Sequence, residues 1–75
     1  MSEILVDARG HRCPVPTLRL RRKSSQAPAG ALIRVLADDP LARIDIPHFA
    51  AQAGLEVVSI EVEGPVITVL IRKPG

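Results

Sequence analysis

The single cysteine of the sequence, Cys13, lies in the stretch HRCPVPT, between an arginine and a proline. A thiol beside a cationic side chain or at a helix N-terminus has a pKa below the value of about 8.5 for a free cysteine, and its thiolate is the reactive form. Arg12 supplies the positive charge. Pro14 suits the first turn of a helix because its missing N–H would have no intrahelical acceptor. We therefore predict an acidic, accessible thiol at the N-cap of a helix that begins at Pro14.

The residues that follow Cys13 favour an anion at this position. Pro14 and Pro16 stiffen the loop and carry no N–H, so the nearby first-turn donors are the amides of Val15 and Thr17. Helix N-terminal amides and the helix dipole both stabilise negative charge. We predict Cys13 as the catalytic residue. The supporting residues are its immediate neighbours Arg12, Pro14, Val15, Pro16 and Thr17.

The rest of the sequence argues against several common uses of a thiol. A hydrolase needs a base aimed at the thiol and a third group that orients the base, and His11 and His48 leave this set incomplete. A dithiol oxidoreductase needs a second cysteine, which the sequence lacks. His11 and Cys13 alone are too few ligands for a metal site. No metal or other cofactor is predicted, and the remaining chemistry is a nucleophile that accepts a group and passes it to another protein.

The length and composition predict one small domain. The chain has 75 residues, which fits a single domain over residues 1–75 with one aliphatic core, since Phe49 is the only aromatic residue. One cysteine cannot form an internal disulfide, which favours a reducing compartment, and we predict the cytoplasm. The sequence predicts neither a signal peptide nor a membrane span.

The strands that must position Cys13 follow from short apolar runs and from the alternation of apolar and polar residues. They are predicted at 4–8, 31–38, 55–63 and 66–72, the last two joined by a hairpin at Gly64-Pro65. Alternation predicts one apolar face in each of the last three strands. These faces are formed by Ile33, Val35 and Ala37 in the second strand, by Val58, Ile60 and Val62 in the third, and by Ile67, Val69 and Ile71 in the fourth.

Two helices are predicted between these strands. The first runs from Pro14 to about Gln26, with Val15, Leu18 and Ala27 facing inward. Pro47 disfavours helical geometry at the residue before it, so we expect a short turn from Pro40 to about Asp45 and a fresh helix over 47–53. The order βαβαββ predicts an α+β fold, a two-layer α/β sandwich in which a four-stranded mixed sheet carries two helices on one face.

Positive charge is concentrated around Cys13, although the net charge is only +2. Arg19, Arg22 and Lys23 on the first helix are predicted to dock an acidic partner or RNA, and a merely solvated helix face is the equal alternative. The slight net charge and the lack of an aromatic platform for bases argue against direct nucleic-acid binding.

Two acidic residues and a histidine have competing interpretations. Asp38 and Asp39, followed by Pro40, are interpreted as caps of the second helix rather than as metal ligands or a general acid. His11 either tunes the thiol or is an idle loop residue.

Four short motifs occur in order along the chain: DARG at 7–10, CPVP at 13–16, DDP at 38–40 and DIP at 45–47. Together they resemble the TusA/SirA sulfur-carrier family over almost the whole chain. The resemblance implies a small βαβαββ protein whose box cysteine, here Cys13, takes sulfane sulfur from a cysteine desulfurase or rhodanese and passes it to an acceptor protein as a persulfide.

The resemblance does not indicate which pathway receives the sulfur. The pathways known for the family include tRNA thiolation, sulfur supply for molybdenum cofactor and sulfur oxidation. The chain also departs from the family pattern at two positions. Val15 stands where members often carry glutamate, and Ala50 stands where some carry a second cysteine.

Two other function classes stay open on sequence alone. A small βαβαββ fold with a basic helix also resembles the C-terminal domain of a translation initiation factor, which would make the chain an RNA-binding module. A regulatory protein that binds without chemistry would not need Cys13. A monomer is predicted, and an exposed sheet face with Leu32, Leu36 and Leu70 is a candidate contact for a partner or a second copy.

Overall fold

The computed structural model describes residues 3–12 and 14–74, and Cys13 lies outside the described residues. The elements, in chain order, are β1 (Glu3–Asp7), α1 (Val15–Gln26), β2 (Leu32–Ala37), α2 (Ala42–Ala53), β3 (Glu56–Glu63) and β4 (Val66–Arg72). This is the predicted α+β sandwich with the order βαβαββ.

The sheet has four strands in the order β1-β2-β4-β3. β1 runs parallel to β2, which requires the crossover that α1 supplies. β4 is antiparallel to both of its neighbours, and the turn at Gly64-Pro65 joins it to β3 as predicted. β1 and β3 are therefore the two edges of a mixed sheet.

The core lies between the sheet and the two helices. Alternate residues of the central strands are fully buried, among them Ile33, Val35 and Val69, as the alternation predicts. The prediction that Leu18 faces inward is wrong, because Leu18 is 53% exposed whereas Leu20 is 0% exposed. The inward row of α1 passes instead through Pro16, Leu20 and Ser24, which are spaced four residues apart on one helix face.

The predicted helix break at Pro47 is wrong, because α2 runs without interruption from Ala42 to Ala53. Pro47 removes one intrahelical donor, and the carbonyl that loses it belongs to Arg43, an exposed residue that water can reach. The neighbouring Ile46 is fully buried, and its packing favours the continuous helix. The helix ends at Gly54 as predicted, where a φ of 75° suits glycine.

The apolar face predicted for β3 is largely exposed. Val58, Ile60 and Val62 are 48%, 40% and 50% exposed, respectively. An irregularity of register, typical of a β-bulge, lies between Val57 and Ser59 in this edge strand. Val57, rather than Val58, packs against the core.

Candidate functional site at the start of helix α1

The loop of residues 8–12 joins β1 to the position before α1. Ala8 is buried, and its N–H donates to the Leu36 carbonyl at 2.8 Å, which fixes the start of the loop to β2. The His11 N–H donates to the Ala8 carbonyl at 3.3 Å, which closes a tight turn around Arg9 and Gly10. Gly10 has a φ of 83°, a conformation that residues with a Cβ seldom adopt. The turn therefore depends on glycine at position 10.

Asp38 holds this turn from the neighbouring strand. The Gly10 N–H donates to both carboxylate oxygens of Asp38, at 3.0 and 2.9 Å. Asp38 follows β2, whose end lies beside the end of β1 in the parallel pair. The interpretation of Asp38 as a cap of α2 is therefore wrong. The available signal was its place directly after a strand paired with the one that leads to the loop.

Asp39 acts at the entry to α2. Its carboxylate accepts the Leu41 N–H at 3.0 Å, an interaction within the turn that precedes the helix. The N-cap itself is Leu41, which makes no side-chain cap bond, so Asp39 supports the helix entry from two residues before that cap.

A second carboxylate, that of Asp7 at the end of β1, binds the Arg9 side chain of the same loop. The Arg9 side chain donates to the Asp7 carboxylate at 2.9 and 2.8 Å. This hydrogen bond lowers the pKa of Asp7 from 3.8 to about 2 and raises the pKa of Arg9. Both groups are exposed, so the pair contributes only modest stability.

Helix α1 begins one residue later than predicted. Its N-cap is Pro14, with φ −95° and ψ 16° and no side-chain cap hydrogen bond. The assignment of position 13 as the N-cap is therefore wrong, since position 13 precedes the cap by one residue. The Val15 N–H donates to the Arg12 carbonyl at 2.9 Å in a tight turn, which is why regular helix geometry starts only at Val15.

The first turn of α1 has few available donors. Pro14 and Pro16 have no N–H, and the Val15 amide is committed to Arg12, so of the two predicted donors only Thr17 remains. The Thr17 hydroxyl oxygen is buried and has no hydrogen-bond partner among the described residues. The turn contains no acidic residue, so the positive end of the helix dipole is not compensated by a local carboxylate.

The supporting residues of the predicted site differ in exposure. Arg12 and Pro14 are exposed, Val15 and Thr17 are half-buried, and Pro16 is buried. The structure thus brings the five supporting residues to one turn at the N-terminus of α1. His11 is exposed on the same loop.

The predicted docking residues lie further along α1, opposite β1. Arg19, Arg22 and Lys23 line a cleft of about 350 Å³ between the helix and this edge strand. The Arg19 guanidinium donates to the Asp7 carbonyl at 3.1 Å, a contact that the sequence did not predict. The three cations share one surface, and their role in docking stays a prediction.

Across residues 3–12 and 14–74, no set of three or more His, Cys, Asp and Glu side chains is arranged to hold a metal ion. Neither α1 nor α2 has the length and apolar character that a membrane crossing demands.

Comparison with known proteins places these motifs in a sequence family. The profile of the family described as "Sulfurtransferase TusA" matches residues 4–73. "Sulfur carrier protein TusA" of Pseudomonas syringae pv. syringae is 41% identical over 68 residues, which cover 91% of this chain and 81% of the relative. The protein of the same name from Pseudomonas aeruginosa is 37% identical over 71 residues, which cover 95% of this chain and 90% of the relative.

A solved structure has the same fold. The crystal structure of a SirA-like protein from Desulfitobacterium hafniense superposes with a TM-score of 0.83 and 29% sequence identity. The match covers 96% of this chain and 99% of that protein.

Proposed function

Because the chain belongs to the sulfurtransferase TusA family, we propose that it is a sulfur carrier that bears the transferred sulfur as a persulfide on Cys13. The observation that carries the proposal is the position of the only thiol of the sequence. Cys13 directly precedes the N-cap of α1, and the first turn of this helix has neither a capping side chain nor an acidic residue. An anion in front of this helix end meets no acidic side chain of the first turn.

The transfer needs only a displacement at sulfur. The Cys13 thiolate attacks the terminal sulfur of a donor persulfide, the donor S–S bond breaks, and the donor thiolate leaves while the Cys13 persulfide forms. An acceptor thiolate then attacks the terminal sulfur, and the Cys13 thiolate leaves in turn. No external oxidant or reductant is consumed. A lone cysteine suits this cycle because no neighbouring thiol is present to expel the persulfide as a disulfide.

The electrostatics of the α1 N-terminus support a stabilised sulfur anion. The helix dipole and the charge of Arg12 both favour the thiolate, and the Thr17 hydroxyl in the first turn has no hydrogen-bond partner among the described residues. We expect the pKa of Cys13 to lie below the value of about 8.5 for a free thiol. The rate of alkylation of Cys13 against pH measures it, and a midpoint at or above that of a free thiol contradicts this part of the proposal.

The partners in this proposal are proteins. A cysteine desulfurase or a rhodanese-type protein supplies the sulfur in the cytoplasm, and an acceptor protein receives it, with tRNA thiolation as one destination. Arg19, Arg22 and Lys23 are exposed on a shared surface and support docking of an acidic partner. A monomer is sufficient for each step.

The decisive experiment is sulfur loading followed by intact mass. The protein is incubated with a cysteine desulfurase and cysteine, and the carrier should gain the mass of one sulfur, which a reductant removes. The Cys13→Ser variant should gain none. Wild-type protein that gains no sulfur but binds RNA, with equal affinity for the Cys13→Ser variant, would contradict the carrier function and favour the RNA-binding alternative.

A charge-reversal pair tests the docking surface. Arg22→Glu should slow sulfur loading, because the cleft then presents a negative charge to the partner. Arg21→Glu is the matched control, since Arg21 lies on the side of α1 that faces Phe49 and Gln52 rather than β1. Equal loading rates for both variants would mean that the cations are merely solvated.

A further inference from the structure

The outer edge of β1 and the facing side of α1 form a cleft, and we propose that this cleft binds an extended acidic segment of a protein partner as an added strand. The inference deepens the partner assignment of the proposed function, on which it rests for the identity of the partner as a protein. The binding itself does not require the thiol. β1 is a terminal strand of the sheet, with β2 on one side and no strand of the described residues on the other.

The backbone of β1 offers unused hydrogen-bonding groups on its outer side. The amide of Ala8 donates to Leu36 of β2, and successive residues of a strand direct their amide groups to alternate sides. The amide groups of Leu5 and Asp7 therefore point away from β2. The bond from Arg19 to the Asp7 carbonyl is consistent with this direction. The N–H and C=O of Leu5 and the N–H of Asp7 remain for an added strand.

The side chains around the cleft define the chemistry of the added strand. Alternate side chains of such a strand would face α1, where Arg19, Arg22 and Lys23 line the cleft. These positions favour aspartate or glutamate. The intervening side chains would lie on the open face of the sheet beside Leu5, which is 57% exposed, and this position favours an apolar residue. The expected partner segment alternates acidic and apolar residues.

The other edge of the sheet does not offer the same surface. β3 carries an irregularity between Val57 and Ser59, which disrupts regular pairing of an edge. It also carries Glu61 and Glu63, which repel an acidic segment, whereas the two acidic residues of β1, Glu3 and Asp7, are each paired with an arginine. Selection of β1 over β3 therefore follows from charge as well as from backbone regularity.

The cleft also leads to the predicted reaction site. β1 ends at Asp7, and the loop of residues 8–12 continues from there to the N-terminus of α1. A strand added along β1 would end beside this loop. The interaction would then hold the partner at the end of the sheet from which Cys13 follows.

The test uses the full chain as the Cys13→Ser variant, so that sulfur chemistry plays no part. The probe is an acetylated synthetic peptide of about six residues, the usual length of a strand, that alternates glutamate and valine. A peptide with glutamine in place of glutamate is the control. We expect the acidic peptide to protect the Leu5 and Asp7 amides from hydrogen exchange, with affinity that falls as salt rises.

Charge and backbone variants separate the two parts of the interface. Arg22→Glu should weaken peptide binding roughly three- to tenfold, because an exposed ion pair is replaced by a repulsion, and Arg21→Glu should leave it unchanged. Leu5→Pro removes an outward N–H that β2 does not use and should abolish binding, whereas Leu5→Ala should weaken it only modestly. If Leu5→Pro fails to fold, hydrogen exchange of the Leu5 and Asp7 amides in the protein that retains Leu5 still shows whether the peptide binds along β1.

Three results would overturn the inference. They are no binding of the acidic peptide, equal binding of the glutamine peptide, and protection that maps away from β1 or onto a dimer of this chain. The outcomes for the two proposals are distinguishable. Normal sulfur loading without peptide binding contradicts only this inference, and peptide binding without sulfur loading contradicts only the proposed function.

Discussion

Removal of the Asp38 side chain should release the loop that precedes Cys13. The two Asp38 oxygens lie 3.0 and 2.9 Å from one nitrogen, that of Gly10, so they share a single charge-assisted hydrogen bond. Hydrogen bonds to charged groups contribute about 1.5–3 kcal/mol. Because this contact is exposed, solvent screening reduces the value. We expect Asp38→Ala to lower the free energy of unfolding by about 1–2 kcal/mol.

Thermal unfolding and sulfur loading together measure this effect. A loss of 1 kcal/mol corresponds to a fall in Tm of about 4–8 °C for a domain of this size. Asp38→Asn keeps an acceptor oxygen without the charge and should lose about half as much stability. Loading of Cys13 by a desulfurase, followed by intact mass, should slow by about tenfold, since small misplacements of a reacting group are costly.

The matched control is Glu63→Ala, which removes an exposed carboxylate from β3, the edge strand that is not adjacent to β1 or β2. If Asp38→Ala has the same Tm as Glu63→Ala and leaves hydrogen exchange of the Gly10 amide unchanged, the stabilising role of Asp38 is refuted. A destabilised Asp38→Ala protein that still loads sulfur at the wild-type rate would show that the hydrogen bond from Gly10 to Asp38 stabilises the fold but does not affect sulfur loading.

Three further predictions follow from single residues. Gly10→Ala should lower the free energy of unfolding by about 1–2 kcal/mol in chemical denaturation, because φ is +83°, a strained conformation for alanine. Apart from the chain neighbours, the added Cβ would meet no described atom within 4 Å, so the cost is backbone strain rather than a steric clash. The hydrogen bond from Arg9 lowers the pKa of Asp7 from 3.8 to about 2, so its stabilisation is present above pH 3.8 and is lost as pH falls towards 2. The difference in Tm between wild type and Asp7→Asn should shrink over that interval, and a constant difference would contradict the role of the ion pair. Leu20→Ala should lose about 2–5 kcal/mol from a fully buried position. Leu18→Ala on the same helix should change stability by less than about 0.5 kcal/mol, and similar losses for both would contradict the assigned helix face.

The sequence predicts the sheet better than the helices. Alternation in β2 and β4 identifies Ile33, Val35 and Val69 as core residues, because a strand with one covered face repeats every two residues. The helical pattern of α1 is weaker, since its inward row uses Pro16 and Ser24, which are not typical core residues. The apolar pattern therefore predicts Leu18 in the core, although Leu18 is exposed.

Predictions from local sequence rules are wrong where tertiary packing outweighs the local preference. Pro47 marks a helix break in isolation, but burial of Ile46 against the sheet favours one continuous helix. The position of the predicted site at the start of α1 follows from the prolines. The anchor at Asp38 does not, because its contact with Gly10 spans residues 28 positions apart and depends on the pairing of β1 with β2.

The order of the strands also bears on how a nascent chain reaches its native state. β4 leaves the ribosome after β1, β2 and β3, yet it is the strand that joins β2 to β3. Lys73, which follows β4, then donates to the carbonyls of Ser24 and Ala27 at the end of α1, at 2.8 Å each. Cotranslational folding can therefore assemble only the β1–β2 pair until β4 emerges, and Cys13 is translated well before the sheet is complete.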